Sequence, residues 1–424
     1  MLSEVNHVSK YLITGGRKLR GELEISGAKN AVLPILAASV INGGVSVING
    51  FPNLRDVDIM IKILMSLGCK VEKTYNSIIV NSRNIFTHEI DESLVREMRS
   101  SIFLMGPMLA RFGKIKISYP GGCEIGHRPI DLHLKGLREM GVEITEAHGF
   151  LECSVKKLRG AEIHLDYPSV GATENIMLSA VLAKGKTLIR NPAKEPEIVD
   201  LQDYLNGMGA KIRGAGTSII EIDGVDSLSN VEHRIMPDRI VAGTILSAAA
   251  ITKSEITITN VIPDHIVSVI SKLKEMGCII IEKENELKII PPSVLRPVDI
   301  IRTLPYPGFP TDMQPQIVSV LCLASGTSIV TETVFENRFK HTEELMRMGA
   351  KIKVDGRVAV IKGVRELTGA KVSAKDLRGG AALVLAGLAA EGTTIIENIK
   401  HIERGYDNFD LMLKKLGADI KVID

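Results

Sequence analysis

A chain of 424 residues with 45 % apolar residues can bury a core large enough for two or three domains, which excludes a disordered protein. Its 52 basic and 50 acidic residues leave no polybasic run, so nucleic acid and an anionic membrane surface are excluded as default partners and any anion site must be a local cluster. No apolar stretch reaches about eighteen residues, and residues 1–18 hold no apolar core before a small-residue cleavage site, so the chain reads as soluble, unexported and cytoplasmic.

Taken in chain order, Ser26-Gly27-Ala28-Lys29-Asn30 leads into an apolar helix predicted over 31–38, and Leu67-Gly68-Cys69-Lys70-Val71 then closes a second helix and opens a strand. That second phrase recurs around Gly141, Gly209, Gly277, Gly349 and Gly417, at separations of 73, 68, 68, 72 and 68 residues, so six units of about 70 residues fill the chain. Each glycine stands where a helix stops, because it takes the left-handed conformation without steric cost. About twenty-five residues before each glycine lies an apolar helix and a Thr/Ile/Val-rich strand, as in 180–183 before 187–189. The predicted unit is helix, strand, helix, strand, strand.

The upstream helices, predicted over 317–323 and 381–386 for example, are apolar nearly all round and must be buried on every side. The downstream helices are amphipathic, with Ile198, Leu201, Leu205 and Met208 on one face. This predicts an α/β (α+β) fold with helices inside and sheets outside. Period alone allows a continuous solenoid or two closed groups of three units. Length and the change of character near Pro237 favour two lobes with a cleft between them.

Candidate chemistry lies in the irregular segments. Lys29 and Asn30 stand at the start of a helix, where unpaired N–H groups suit a phosphate or carboxylate; a solvent-facing lysine is the plainer alternative. Arg99 precedes a helix predicted over 102–109, and Arg378 one predicted over 381–386. A cation at a helix amino terminus opposes the macrodipole and invites an anionic ligand or a carboxylate partner. The stretch from Pro120 to His133, the least repeat-like in the chain, has three glycines within six residues and reads as a mobile loop carrying Cys123. Arg128 and a protonated His127 would lower the thiol pKa and Glu124 would raise it, against the alternative of a passive thiol. Cys69, Cys278 and Cys322 read as inert packing, and the five cysteines, odd in number and scattered, form no zinc pattern and suit a reducing cytosol. Three prolines before Asp312 would present its carboxylate rigidly, unless it only caps a helix. Arg404, beside Glu403, is a further cation or half of a surface ion pair. The chain has no Gly-x-x-x-x-Gly-Lys-Ser/Thr loop and no strand-linked Gly-x-Gly-x-x-Gly, which argues against P-loop and dinucleotide enzymes.

At these segments the sequence resembles the UDP-N-acetylglucosamine 1-carboxyvinyltransferases of the enolpyruvyl transferase family, over about 11–419. The matching phrases include Ser26-Gly27-Ala28-Lys29-Asn30, Met98-Arg99-Ser100-Ser101, Pro120-Gly121-Gly122-Cys123, Arg128-Pro129-Ile130-Asp131-Leu132-His133, Ser169-Val170-Gly171-Ala172-Thr173, Phe309-Pro310-Thr311-Asp312-Met313-Gln314, Phe335-Glu336-Asn337-Arg338 and Arg404-Gly405-Tyr406. The Lys-Ser-rich opening motif of the shikimate-pathway members is missing. The resemblance implies a two-lobed inside-out α/β barrel, with 27–236 as one lobe and 1–26 plus 237–424 as the other, and ligands between them. It implies transfer of the enolpyruvyl group of phosphoenolpyruvate to the 3-hydroxyl of UDP-N-acetylglucosamine with release of phosphate, the first committed step of peptidoglycan synthesis, without metal or cofactor. Lys29, Asn30, Arg128 and Arg404 would hold phosphoenolpyruvate, Cys123 would protonate its methylene carbon, and Arg378 would be a further substrate-binding residue. Arg99, Arg128, Pro129, Ile130, Asp131, Leu132, Ser169, Val170, Gly171, Asp312 and Val334 would position the sugar nucleotide, with Asp312 taking the hydroxyl proton. The family's cysteine is the target of the epoxide fosfomycin. Glu124 and His127 depart from the smaller residues expected beside it. The alternatives are an enolpyruvyl transferase with another acceptor, a non-catalytic paralogue that binds UDP-sugar and regulates a partner, and a repeat scaffold.

Overall fold

The computed structural model describes residues 9–121 and 130–424; Cys123, Glu124, His127, Arg128 and Pro129 lie outside them. The described chain divides into two compact units, one of 27–121 and 130–236, the other of 9–26 and 237–424. Each has a hydrophobic core of its own.

The repeat is clearest at 162–223. Strand Glu162–His164 leads into helix Val170–Ala180, strand Lys186–Arg190, helix Pro196–Gly207, and the hairpin Lys211–Arg213 with Ile219–Asp223. Lys186–Arg190 pairs antiparallel with Ile219–Asp223 and parallel with Glu162–His164. The repeat therefore opens with a strand that the sequence pattern did not show. Three residues are too few to display a period of two.

These opening strands also bind each unit together. Glu22–Glu24, just before the chain leaves the 237–424 unit, pairs parallel with Ile256–Thr259 of that unit. Val231–Arg234, just before it leaves the other, pairs parallel with Val45–Asn49. Lys10–Thr14 pairs antiparallel with both Thr393–Glu397 and Asp419–Ile423, filling the place that a hairpin strand occupies in the other repeats. Among the described residues the sheet of 114–154 has three strands, and a bridge from Glu89 to Lys116 stands in the fourth position.

The apolar helices are inside. Every residue of Arg239–Ile251 is buried, and in Lys29–Ala38 only Asn30 is exposed. Helices Arg239–Ile251, Gln314–Leu321 and Leu377–Ala389 pack on one another pairwise. In the other unit, Met105–Phe112 packs on Val170–Ala180, and Lys29–Ala38 on Pro196–Gly207. Strands such as Ser77–Asn81 alternate buried and partly exposed residues, as one-faced sheets outside a helical core must. Ile198, Leu201, Leu205 and Met208 are all buried.

The repeat glycines do close helices: Gly68, Gly141, Gly209, Gly277, Gly349 and Gly417 have φ of 113°, 92°, 102°, 98°, 94° and 93°. Three local expectations need correction. The helix expected at 102–109 starts as the 3-10 turn Arg99–Leu104 and becomes α-helical over Met105–Phe112; the Gly106 N–H donates to Asn175 Oδ1 at 3.0 Å. Helix Leu377–Ala389 begins early enough to hold Arg378 in its first turn, because Asp376 caps it by accepting from the N–H groups of Arg378 and Gly379. The irregular stretch ends at Ile130, since helix Asp131–Glu139 takes up Asp131, Leu132 and His133.

Candidate active site

In the unit of 27–236, Lys29 opens its helix and Asp56 lies in the first turn of the next, Arg55–Leu67. Lys29 Nζ is 2.7 Å from Asp56 Oδ2, and both side chains are largely buried. Lys29 is therefore not the solvent-facing lysine the sequence allowed. Asp56 suits its own helix dipole and offsets the charge that Lys29 places against the other. Asn30, one residue on, is exposed.

A second cluster of that unit joins the starts of two helices. Asn175 settles its chemistry: Oδ1 accepts from Gly106 N–H at 3.0 Å, so Nδ2 is the donor to Ile102 O at 3.0 Å and to His133 Nδ1 at 2.8 Å. His133 is thus a neutral imidazole with its proton on Nε2. Burial, and then the charge of Arg99, push its pKa down to about 3. The ring lies against Gly171, where a Cβ would come within 2.9 Å of His133 Cε1. Ser169 caps helix Val170–Ala180 through Oγ, accepting from Ala172 N–H at 3.3 Å. Arg99, His133 and the 169–171 turn are therefore neighbours, with Ile130, Asp131 and Leu132 at the head of the helix that carries His133.

In the unit of 237–424, Asp312 lies within the 3-10 turn Thr311–Met313, so it is not an N-cap. Arg338 Nη2 donates to its Oδ1 at 2.9 Å, and Arg378 Nε and Nη2 donate to Oδ2 at 3.2 and 3.0 Å. The carboxylate partner that Arg378 invites at a helix start is Asp312. Burial would weaken the Arg378 charge, but Asp312, then Tyr406 and Asp238, outweigh it and raise its pKa. The guanidinium stands over the Tyr406 ring at 5.3 Å, and the Tyr406 hydroxyl is held by Thr244 at 3.0 Å and Gln316 at 3.1 Å. Half-buried Arg404 precedes Gly405, where a Cβ would strike Leu377 Cδ1 at 2.3 Å; that close approach seats the Arg404 segment on the helix start bearing Arg378.

Proteins similar to this chain give these clusters a context. A family model described as EPSP synthase (3-phosphoshikimate 1-carboxyvinyltransferase) matches residues 13–413. UDP-N-acetylglucosamine 1-carboxyvinyltransferase 2 of Caldanaerobacter subterraneus subsp. tengcongensis is 60 % identical over 413 residues, 97 % of this chain and 99 % of the relative. UDP-N-acetylglucosamine 1-carboxyvinyltransferase 1 of Carboxydothermus hydrogenoformans is 55 % identical over 417 residues, 98 % of this chain and 99 % of that protein.

The chain belongs to the enolpyruvyl transferase family.

It is thus a transferase, as its motifs implied. Its fold agrees with the crystal structure of the enolpyruvyl transferase NikO from Streptomyces tendae, with a TM-score of 0.89 at 25 % identity over 98 % of this chain and 99 % of that one. EPSP synthase from Acinetobacter baumannii shares the fold, with a TM-score of 0.75 at 18 % identity and coverage of 98 % and 100 %.

Cys123, Arg128 and Pro129 lie outside the described residues. Four other cysteines, Cys69, Cys153, Cys278 and Cys322, are buried free thiols, and burial pushes those of Cys69, Cys278 and Cys322 up to about 12, in keeping with inert packing. Among the described residues no helix is long and apolar enough to cross a membrane, and no group of His, Cys, Asp or Glu is arranged to hold a metal ion. Reading by motif passed over Asp56 and Arg338 as site residues, although Arg338 stood in a matched phrase.

Proposed function

We propose that this transferase moves the enolpyruvyl group of phosphoenolpyruvate onto the 3-hydroxyl of UDP-N-acetylglucosamine in the cytosol, releasing phosphate and committing the sugar to peptidoglycan. The observation that carries the reading is full-length identity of 60 % to a UDP-N-acetylglucosamine 1-carboxyvinyltransferase, together with an Asp312 carboxylate held by two buried arginines in this chain.

In this reading Lys29, Asn30, Arg128 and Arg404 neutralise the phosphate and carboxylate of phosphoenolpyruvate, and Arg378 is a further substrate-binding residue through its hold on Asp312. Cys123 delivers a proton to the methylene carbon, positive character builds on the neighbouring carbon, and the sugar oxygen adds there as its proton passes to Asp312. Loss of a proton from the new methyl group and departure of phosphate restore the double bond. Fixed cations stabilise the phosphate throughout, and they act more strongly in a site closed to water. Arg99, Arg128, Pro129, Ile130, Asp131, Leu132, Ser169, Val170, Gly171, Asp312 and Val334 position the sugar nucleotide. Arg338 and Arg378 support the Asp312 role by holding its carboxylate in one orientation.

The test is phosphate release from phosphoenolpyruvate by the purified protein, with and without UDP-N-acetylglucosamine. Release that depends on the sugar nucleotide is expected. Release only with a different hydroxyl compound would assign another acceptor, and tight binding of the sugar nucleotide without any release would mark a non-catalytic paralogue.

A further inference from the structure

Glu332 follows strand Thr327–Thr331 and is fully buried, yet neither the motifs nor the chemistry above give it a task. Its two oxygens gather four donors. Oε1 accepts from Thr303 Oγ1 at 2.8 Å, Val334 N–H at 2.8 Å and Phe335 N–H at 3.1 Å; Oε2 accepts from Thr311 Oγ1 at 2.9 Å. The Thr303 hydroxyl also accepts from Thr333 N–H at 2.9 Å, which leaves its proton for Glu332.

These donors sit beside two residues of the proposed acceptor site. Thr311 immediately precedes Asp312 in the same 3-10 turn. The Val334–Phe335 peptide is trans, so with the Phe335 N–H turned onto Glu332 the Val334 carbonyl points the opposite way, free of the carboxylate as an acceptor. One buried carboxylate thereby sets both the position of the Asp312 turn and the direction of the Val334 carbonyl.

We infer that Glu332 is a positioning residue for the hydroxyl-bearing substrate, acting through Asp312 and Val334 and having no part in holding phosphoenolpyruvate. The inference rests on the proposed activity. Apolar packing could hold these segments together, but it would not aim a particular carbonyl. A carboxylate with four directed hydrogen bonds does.

The experiment measures KM for each substrate by phosphate release, in the parent protein and in Glu332→Gln and Thr311→Val, with Tm alongside. Glu332→Gln keeps the volume but removes the charge, and its oxygen keeps the Thr303, Val334 and Phe335 donors only if its amide faces Thr311, whose hydroxyl must then accept in place of donating, so the charge-assisted bonds that fix both segments weaken. KM for UDP-N-acetylglucosamine is expected to rise roughly tenfold or more, with KM for phosphoenolpyruvate changed less than about twofold. Thr311→Val removes only the bond to the Asp312 turn and should move the same KM by a smaller factor, again with KM for phosphoenolpyruvate changed less than about twofold. Parallel rises in both KM values, or no change in either, would reduce Glu332 to a structural residue and overturn the inference. Should Glu332→Gln not fold, the KM pattern of Thr311→Val decides alone. A parent protein without UDP-N-acetylglucosamine-dependent release overturns the proposed activity and this inference with it, whereas an active parent whose variants show no selectivity overturns the inference alone.

Discussion

Replacing Asp312 with Asn keeps the side-chain volume and removes the charge between Arg338 and Arg378. Both guanidinium side chains are 2 % exposed, while that of Asp312 is 27 % exposed. An amide offers one acceptor and one donor where the carboxylate offers two acceptors, so one guanidinium meets an N–H and loses its partner. A hydrogen bond to a charged group contributes about 1.5–3 kcal/mol, and partial exposure of Asp312 keeps the loss within about 2–3 kcal/mol. The unit that contains it has roughly 200 residues, for which each kcal/mol lowers Tm by about 2–4 °C, so a fall of roughly 4–12 °C is expected in a calorimetric scan. Combining Asp312→Asn with Arg338→Met removes the stranded guanidinium, and the double variant should recover about 1–2 kcal/mol relative to additivity. Phosphate release should fall by about 10²–10⁴-fold in Asp312→Asn, the range for loss of a positioned proton acceptor. A Tm within about 1 °C of the parent, or strict additivity in the cycle, would refute the reasoning that these charges depend on one another.

Two further outcomes follow from burial. His133 is neutral in the fold with its pKa pushed down to about 3, whereas the unfolded chain takes up a proton near pH 6.5. Its contribution to stability is therefore complete above about pH 6.5 and is lost as pH falls toward 3, with a slope of up to about 1.4 kcal/mol per pH unit; urea titrations should show His133→Asn with a shallower acid slope, and an unchanged slope would count against a neutral buried ring. Native protein at pH 7 should give one equivalent of thiol to an alkylating reagent and to fosfomycin, located by mass spectrometry at Cys123 and missing in Cys123→Ser, because the other cysteines are buried. Labelling that survives in the Ser variant would identify another nucleophile.

Much of the fold could be read before any coordinates because its signals are local. A helix apolar on every side, as over 381–386, declares its own burial, and a glycine such as Gly68 after the last helical turn marks a left-handed cap within a few residues of sequence. The phrases shared with a known family carried the activity class for the same reason: Lys29, Asp312 and Arg404 each stand in a contiguous motif. Only the tertiary structure could decide which distant groups meet. The Asp312 partners lie 26 and 66 positions away, and the short parallel strands that complete each sheet have too few residues to show a period. Burial alone made Lys29 a paired interior cation in place of a surface one, and gave Glu332, ordinary in sequence, four hydrogen-bond donors to hold. Periodicity and caps depend on neighbours along the chain, whereas charge pairing and hydrogen-bond direction depend on neighbours in space.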